Sequence, residues 1–266
     1  MKQKVPMHQK TTVKTFELKG EIAVVTGASS GIGAAIAKHL SDLGMKVILL
    51  ARRLERLKAL CQELNQYQAN QEQAIAYQLD LRNTDDIEKL FAEIYERFGP
   101  IRVLVNNAGL GHFSPLSTGK TEDWRETLEV NILAPSVCTR EAIQHMRKHD
   151  DWGQIVHISS MSAHRVPQGS GMYSASKFAL RSLTEGLRKE LRELGSEIRV
   201  GSISPGFVET EFAAHFHRSE EKANEIYTQY RVLDPNDIAN ALVYLLTQPA
   251  HVQVHDLLIR PTAQEN

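Results

Sequence analysis

The sequence predicts an α/β fold built on an open sheet. Three observations predict it: short apolar runs recur along the chain, longer segments of helical periodicity separate them, and Gly, Asn or Ser follows several of the runs directly. A chain of 266 residues can form one large α/β domain or two small ones. No composition shift or internal repeat divides it, so one domain is expected over 19–266. Residues 1–18 carry Lys2, Lys4, Lys10 and Lys14 around no apolar core, which reads as a mobile arm and not as a signal peptide.

The first strand is expected over 22–26 (IAVVT), and a helix over 32–43. Between them, Gly27-Ala28-Ser29-Ser30-Gly31-Ile32-Gly33 spaces its glycines as G-x-x-x-G-x-G. Such a turn lets backbone N–H groups approach a phosphate, which the following helix N-terminus also attracts. Its spacing departs from the ordinary G-x-G-x-x-G dinucleotide fingerprint. A second strand is read over 45–51 and a helix over 54–64. No carboxylate closes that strand to bind a ribose diol. Arg52 and Arg53 stand there instead, and arginine suits a 2′-phosphate, a role assigned to Arg52.

The third strand is expected over 74–81, with Asp80 at its end either accepting from an adenine amino group or capping a loop. Thr84 is the expected cap of a helix over 85–98. The fourth strand starts at 103 and runs into Asn106-Asn107-Ala108-Gly109, residues suited to turning the chain and holding neighbouring backbones. Residues 121–149 read as one helical region interrupted at Pro135, with Asn131 an unfavourable amide inside it. His145 and His149 have the spacing of a metal pair, but with no third ligand and no H-E-x-x-H they read as a solvated face; no metal is expected.

A fifth strand over 155–159, a helix over 174–194 and a sixth strand over 198–203 follow, the last closed by Pro205-Gly206. The stretch that comes next, about 207–231, is polar and aromatic, with Phe212, His215, Phe216 and His217, and reads as a substrate-selecting lid of short helices. Asp234-Pro235 opens a helix over 234–246, and 254–259 makes a last strand.

Composition narrows the function. The formal net charge is -1, so no strong field points to nucleic acid or an anionic membrane. Cys61 and Cys138 form no disulfide framework, which fits a reducing cytoplasm. No apolar run approaches the length of a membrane span.

The chemistry concentrates in SMSAHRVPQGSGMYSASK, residues 160–177. Tyr173 and Lys177 stand four apart, so on a helix they share a face. A nearby ammonium favours the phenolate and is expected to draw the tyrosine pKa toward a working range. Ser160 can donate to a carbonyl oxygen. The run follows an apolar strand, and open α/β sheets place ligands at strand C-termini.

TGASSGIG (26–33), NNAG (106–109), a helical Asn131, Ser160, Tyr173-x-x-x-Lys177 and Pro205-Gly together resemble the short-chain dehydrogenase/reductase family across nearly all of 21–260. The resemblance implies a single Rossmann-like, doubly wound domain with helices on both faces, strand order 3-2-1-4-5-6-7, and NADP(H) as the preferred coenzyme with NAD(H) possible. It implies that Tyr173 is the general acid of carbonyl reduction, that Ser160 orients the carbonyl, that Lys177 binds nicotinamide ribose and that Asn131 positions a relay water. Gly27, Ser29, Ser30, Gly31, Ile32 and Gly33 would hold the pyrophosphate side, with Arg52 and Arg53 at the 2′-phosphate. Asp80 and Leu81 would meet the adenine, while Asn107, Ala108, Gly109, Pro205, Gly206, Val208 and Thr210 would line the rest of the coenzyme cleft. Substrate contacts are expected from Ser160, Ser162, His164, Tyr173, Phe207 and Phe212. Some NADP-dependent relatives place a basic residue where this chain has Ser30, so phosphate recognition is expected to lean on Arg52.

A closer likeness, to NADP-dependent carbonyl and ketosteroid reductases of the family, rests on VCTREA (137–142), SMSAHRV (160–166), PGFVETEFA (205–213) and DLLIRPTAQ (256–264). The expected function is reduction of a ketone or aldehyde on a small molecule by a homotetramer or homodimer in the cytoplasm. The alternatives are a 3-oxoacyl-carrier-protein reductase, which would dock on Arg140, Arg147 and Lys148, a 3-hydroxy-acid or serine dehydrogenase, and a non-catalytic NADP-binding regulator.

Overall fold

In the computed structural model, which describes residues 17–66 and 72–265, seven strands form one parallel sheet. They are β1 Ile22–Thr26, β2 Lys46–Ala51, β3 Ala74–Gln78, β4 Ile101–Asn106, β5 Gln154–Ile158, β6 Arg199–Pro205 and β7 Asp256–Ile259. Their order is β3-β2-β1-β4-β5-β6-β7, and every pairing is parallel. The helices are α1 Gly31–Asp42, α2 Leu54–Asn65, α3 Thr84–Phe98, α4 Thr121–Leu128, α5 Ala134–His149, α6 Gly171–Glu193, α7 Phe212–His217, α8 Glu220–Thr228 and α9 Pro235–Leu246.

The continuous apolar runs follow from burial of both sheet faces. Alternate strand residues serve separate cores. Val25, Leu49, Val105 and Ile203 pack with Ile36 and Leu40 of α1, Leu57 of α2 and Leu242 of α9. Val24, Ile48, Leu104 and Val200 pack with Ile87, Phe91 and Ile94 of α3 and with Cys138 and Met146 of α5. Strand order reverses between β1 and β4, and the crevice at such a switch point opens at the strands' C-terminal ends.

Four local expectations are corrected. The arm predicted over 1–18 lies outside the described residues up to position 16, and it ends before Leu18, which is buried in the first core and whose carbonyl accepts from the Glu21 N–H. The third strand stops at Gln78: the Asp80 carbonyl already closes a turn with the Asn83 N–H. Asn83, not Thr84, caps α3, its side chain accepting from the Asp86 N–H at 3.4 Å. The break in 121–149 is a π-helical turn over Glu129–Leu133, and Pro135 sits in the first turn of α5. Pro135 has no N–H to offer the Asn131 carbonyl four residues before it, and the Ala134 N–H reaches back five residues to Glu129.

His145 is not on a solvated face. It is 5% exposed and lies against Phe91 and Tyr95, and burial lowers its pKa to about 4. Among the described residues no group of three or more His, Cys, Asp or Glu side chains could hold a metal ion, and no helix is long and apolar enough to cross a membrane.

Candidate active site

Three side chains meet beyond the end of β5. Ser160 caps a 3₁₀ turn over Met161–Ala163, its hydroxyl accepting from the Ser162 N–H at 3.0 Å. Tyr173 and Lys177 project from the first turns of α6. Lys177 is 4% exposed and donates from Nζ to the Ile158 carbonyl at 3.0 Å, so the last residue of β5 fixes it. Its Nζ lies 5.8 Å from the Tyr173 ring centre.

The electrostatics depart from the expectation of a lowered tyrosine pKa. Burial pushes the Tyr173 phenol up to about 12, with the Ser160 hydroxyl pulling the other way, and burial lowers Lys177 to about 8. The physical reason is a roof of aromatic rings. Phe212 and Phe216 of α7 lie 5.3 and 5.9 Å from the Tyr173 ring, and a Cβ on Gly111 would approach that ring to 2.7 Å. A desolvated phenol keeps its proton at neutral pH, as a proton donor must.

Asn131 braces the site from the π-helical turn. Its Oδ1 accepts from the Leu110 N–H at 2.9 Å, and its Nδ2 donates to the Leu110 carbonyl at 2.7 Å and to Ser176 Oγ at 3.0 Å. Ser176 donates in turn to the Tyr173 carbonyl. The amide that looked misplaced in a helix thus joins the loop after β4 to the helix of the tyrosine.

Around the glycine turn, Thr26 and Asn107 staple β1 to β4. Thr26 Oγ1 accepts from the N–H groups of Asn107 and Ala108, and Asn107 Nδ2 donates to the carbonyls of Thr26 and Gly27. Gly27 has φ +68, and a Cβ there would sit 2.8 Å from Ala108 Cα. A Cβ on Gly33 would lie 2.4 Å from the Gly27 carbonyl oxygen. The glycines therefore let the turn close on itself and pack against the end of β4.

The arginine pair divides. Arg53 crosses the turn, with Nε and Nη2 on Ser29 Oγ at 3.1 and 3.0 Å, Nη2 on Ser30 Oγ at 2.6 Å and Nη1 on Glu211 at 2.7 Å. Arg52 extends to Glu126 at 3.9 Å and is more exposed. Of the two arginines expected at the 2′-phosphate, Arg53 is the guanidinium that lies on the turn, with α2 starting directly after it. This cationic hydroxyl cluster fits a 2′-phosphate. Asp80 is engaged by Arg82 through Nη2 at 2.5 Å, which lowers its pKa; the residue holds its loop.

On the other side of the cleft, the Gly206 N–H donates to Ile259 and the Phe207 N–H to Gln264 Oε1. Val208 bridges to Leu233, and Tyr227 donates its hydroxyl to the Thr210 carbonyl at 3.0 Å. His164, expected at the substrate, has Nε2 3.0 Å from Asp256 Oδ2 and 3.3 Å from Ser204 Oγ, clamping the Ser160 turn to β6 and β7. Ser162 is buried in that turn.

Sequence reasoning missed Arg56, Ser176, Tyr227, Gln264 and Glu211. Arg56 had a signal, lying one helical turn after Arg52 and Arg53. Glu211 had none, since the arginine it meets is 158 positions away.

A family model described as short chain dehydrogenase matches residues 21–221. The chain is 46% identical over 252 residues to dehydrogenase/reductase SDR family member 11 of Gallus gallus, covering 92% of this chain and 97% of that one. It is 41% identical over 250 residues to farnesol dehydrogenase of Aedes aegypti, covering 92% and 98%. Among solved structures, the closed form of serine dehydrogenase complexed with NADP+ superposes with a TM-score of 0.84 at 33% identity, over 92% of this chain and 96% of that one.

Proposed function

The chain belongs to the short-chain dehydrogenase family and is an NAD(P)-dependent oxidoreductase acting on CH–OH groups; from that premise we propose that it reduces apolar ketones or aldehydes with NADPH. The observation that carries this reading is the meeting of Ser160, Tyr173 and Lys177 under the apolar rings of Phe212 and Phe216. The nicotinamide, when bound, supplies the hydride. Ser160 donates to the carbonyl oxygen, and Tyr173 gives its phenolic proton to the alkoxide that develops there. Lys177, held on Ile158, steadies the resulting phenolate and meets the ribose. The Asn131 carbonyl, which Pro135 cannot pair, is left for a relay water. Arg53, with Ser29 and Ser30, supports preference for the phosphorylated coenzyme.

The rings above Tyr173 favour an apolar substrate over a hydroxy acid. Phe113 extends the cover, its ring 6.4 Å from that of Phe216. Docking of a carrier protein is disfavoured, because Arg140 pairs with Glu88 and Glu141 and Arg147 lies 3.6 Å from Asp151. Residues 207–231 are assigned as the lid of the single domain that follows the arm. The paucity of cysteines and their burial fit a reducing cytoplasm.

The test is oxidation of NADPH and NADH, side by side, against ketosteroids, terpenoid aldehydes, dicarbonyls, 3-oxoacyl thioesters and 3-keto acids, with Tyr173→Phe as control. NADPH turnover of the apolar carbonyls is expected, with a loss of at least about 10³-fold in the variant. Preference for keto acids, or near-normal turnover by Tyr173→Phe, refutes the assignment.

A further inference from the structure

Glu211 stands immediately before α7, the helix whose Phe212 and Phe216 cover Tyr173. Its carboxylate reaches the opposite wall of the coenzyme cleft. Oε2 accepts from Arg53 Nη1 at 2.7 Å and Ser30 Oγ at 3.1 Å, and Oε1 accepts from Arg56 Nη1 at 2.5 Å. These contacts, Arg56 foremost, lower its pKa to about 2, so it is an anion throughout the physiological range. Beside it lies a cavity of 380 Å³ lined by Arg53, Arg56, His215 and Arg218, with Glu220 the only other acidic group. An anion is thus already seated on the donors that fit a 2′-phosphate, with room beside it for another, while Arg218 is itself paired with Asp123 at 2.6 Å.

Resting on the NADPH reading above, we propose that Glu211 is a coenzyme-selecting latch: its carboxylate competes with the coenzyme 2′-phosphate for Arg53 and Ser30. Two anions cannot share one guanidinium face without repulsion. A phosphorylated coenzyme replaces the carboxylate on those donors, whereas a coenzyme with a bare 2′-hydroxyl brings no charge with which to displace it.

The test uses the whole protein and two fragments, 2′,5′-ADP and 5′-AMP, neither of which carries a nicotinamide. Calorimetry on wild type and Glu211→Gln is expected to show 2′,5′-ADP binding about five-fold tighter in the variant, the scale of one exposed ion pair, and 5′-AMP unchanged. Weaker 2′,5′-ADP binding in the variant makes Glu211 an organiser of Arg53 and overturns the proposal, as does unchanged binding. A protein that binds 5′-AMP and NADH but not 2′,5′-ADP in either form removes the NADPH assignment, and the latch with it.

Discussion

At the scale of residues, the site holds a lysine at a cost to the fold. Lys177 has its pKa lowered from 10.5 to about 8 by burial, so between those values the unfolded chain binds more protons than the folded one. The penalty is full below pH 8 and fades as pH rises toward 10.5. Lys177→Met, which keeps the stem and removes the charge, is expected to be inactive yet more stable at pH 7 by about 1–3 kcal/mol, less what the bond to Ile158 contributed. Chemical denaturation across pH checks it: the gain should shrink from pH 8 to pH 10.5, and a gain independent of pH would show that packing, not charge, is responsible. The residues of the proposed catalytic trio were readable because tyrosine, lysine and serine are chemically specific and Tyr173 and Lys177 stand at helical spacing. Their pKa directions were not, because these depend on Phe212 and Phe216, whose approach to Tyr173 no local pattern encodes.

At the scale of elements, apolar runs and periodicity located the strands and most helices, since both faces of the sheet are buried and each run meets a core. What escaped is where a polar side chain rewrites an element from a distance. Asn131 looked like a helix fault and proves to be a brace, because its partners Leu110 and Ser176 come from two other segments. His164, expected at the substrate, also clamps the Ser160 turn to β7, because Asp256 arrives from another segment. Asn131→Ala leaves the Leu110 N–H and carbonyl and the Ser176 hydroxyl short of partners in a buried site. It is expected to cost about 2–4 kcal/mol. The π-helical turn should relax with it, so thermal unfolding and turnover should fall together. A stable protein with lowered turnover alone would restrict Asn131 to the proton pathway.

At the scale of the whole molecule, the fold class and strand order were legible from motif order, while assembly was not, because self-association is written on surfaces that carry no periodic signature. Leu128 of α4, Leu133 of the π-helical turn, and Phe178 and Leu183 of α6 are between 38% and 49% exposed. Apolar groups at this density suit a surface buried between subunits. Light scattering is expected to give a dimer or tetramer, and the double variant Phe178→Glu, Leu183→Glu a smaller species; a monomeric wild type would end this reading.

The two cysteines lie inside opposite cores, Cys61 with the α1 side of the sheet and Cys138 with the α3 side. Desolvation raises their pKa values to about 11 and about 12, so neither offers a thiolate to an electrophile while the chain is folded. The protein therefore carries its own chemical clock. A maleimide chase on the unmodified chain times the opening of each sheet face separately, by which cysteine reacts first, and storage without reductant should leave both thiols titratable.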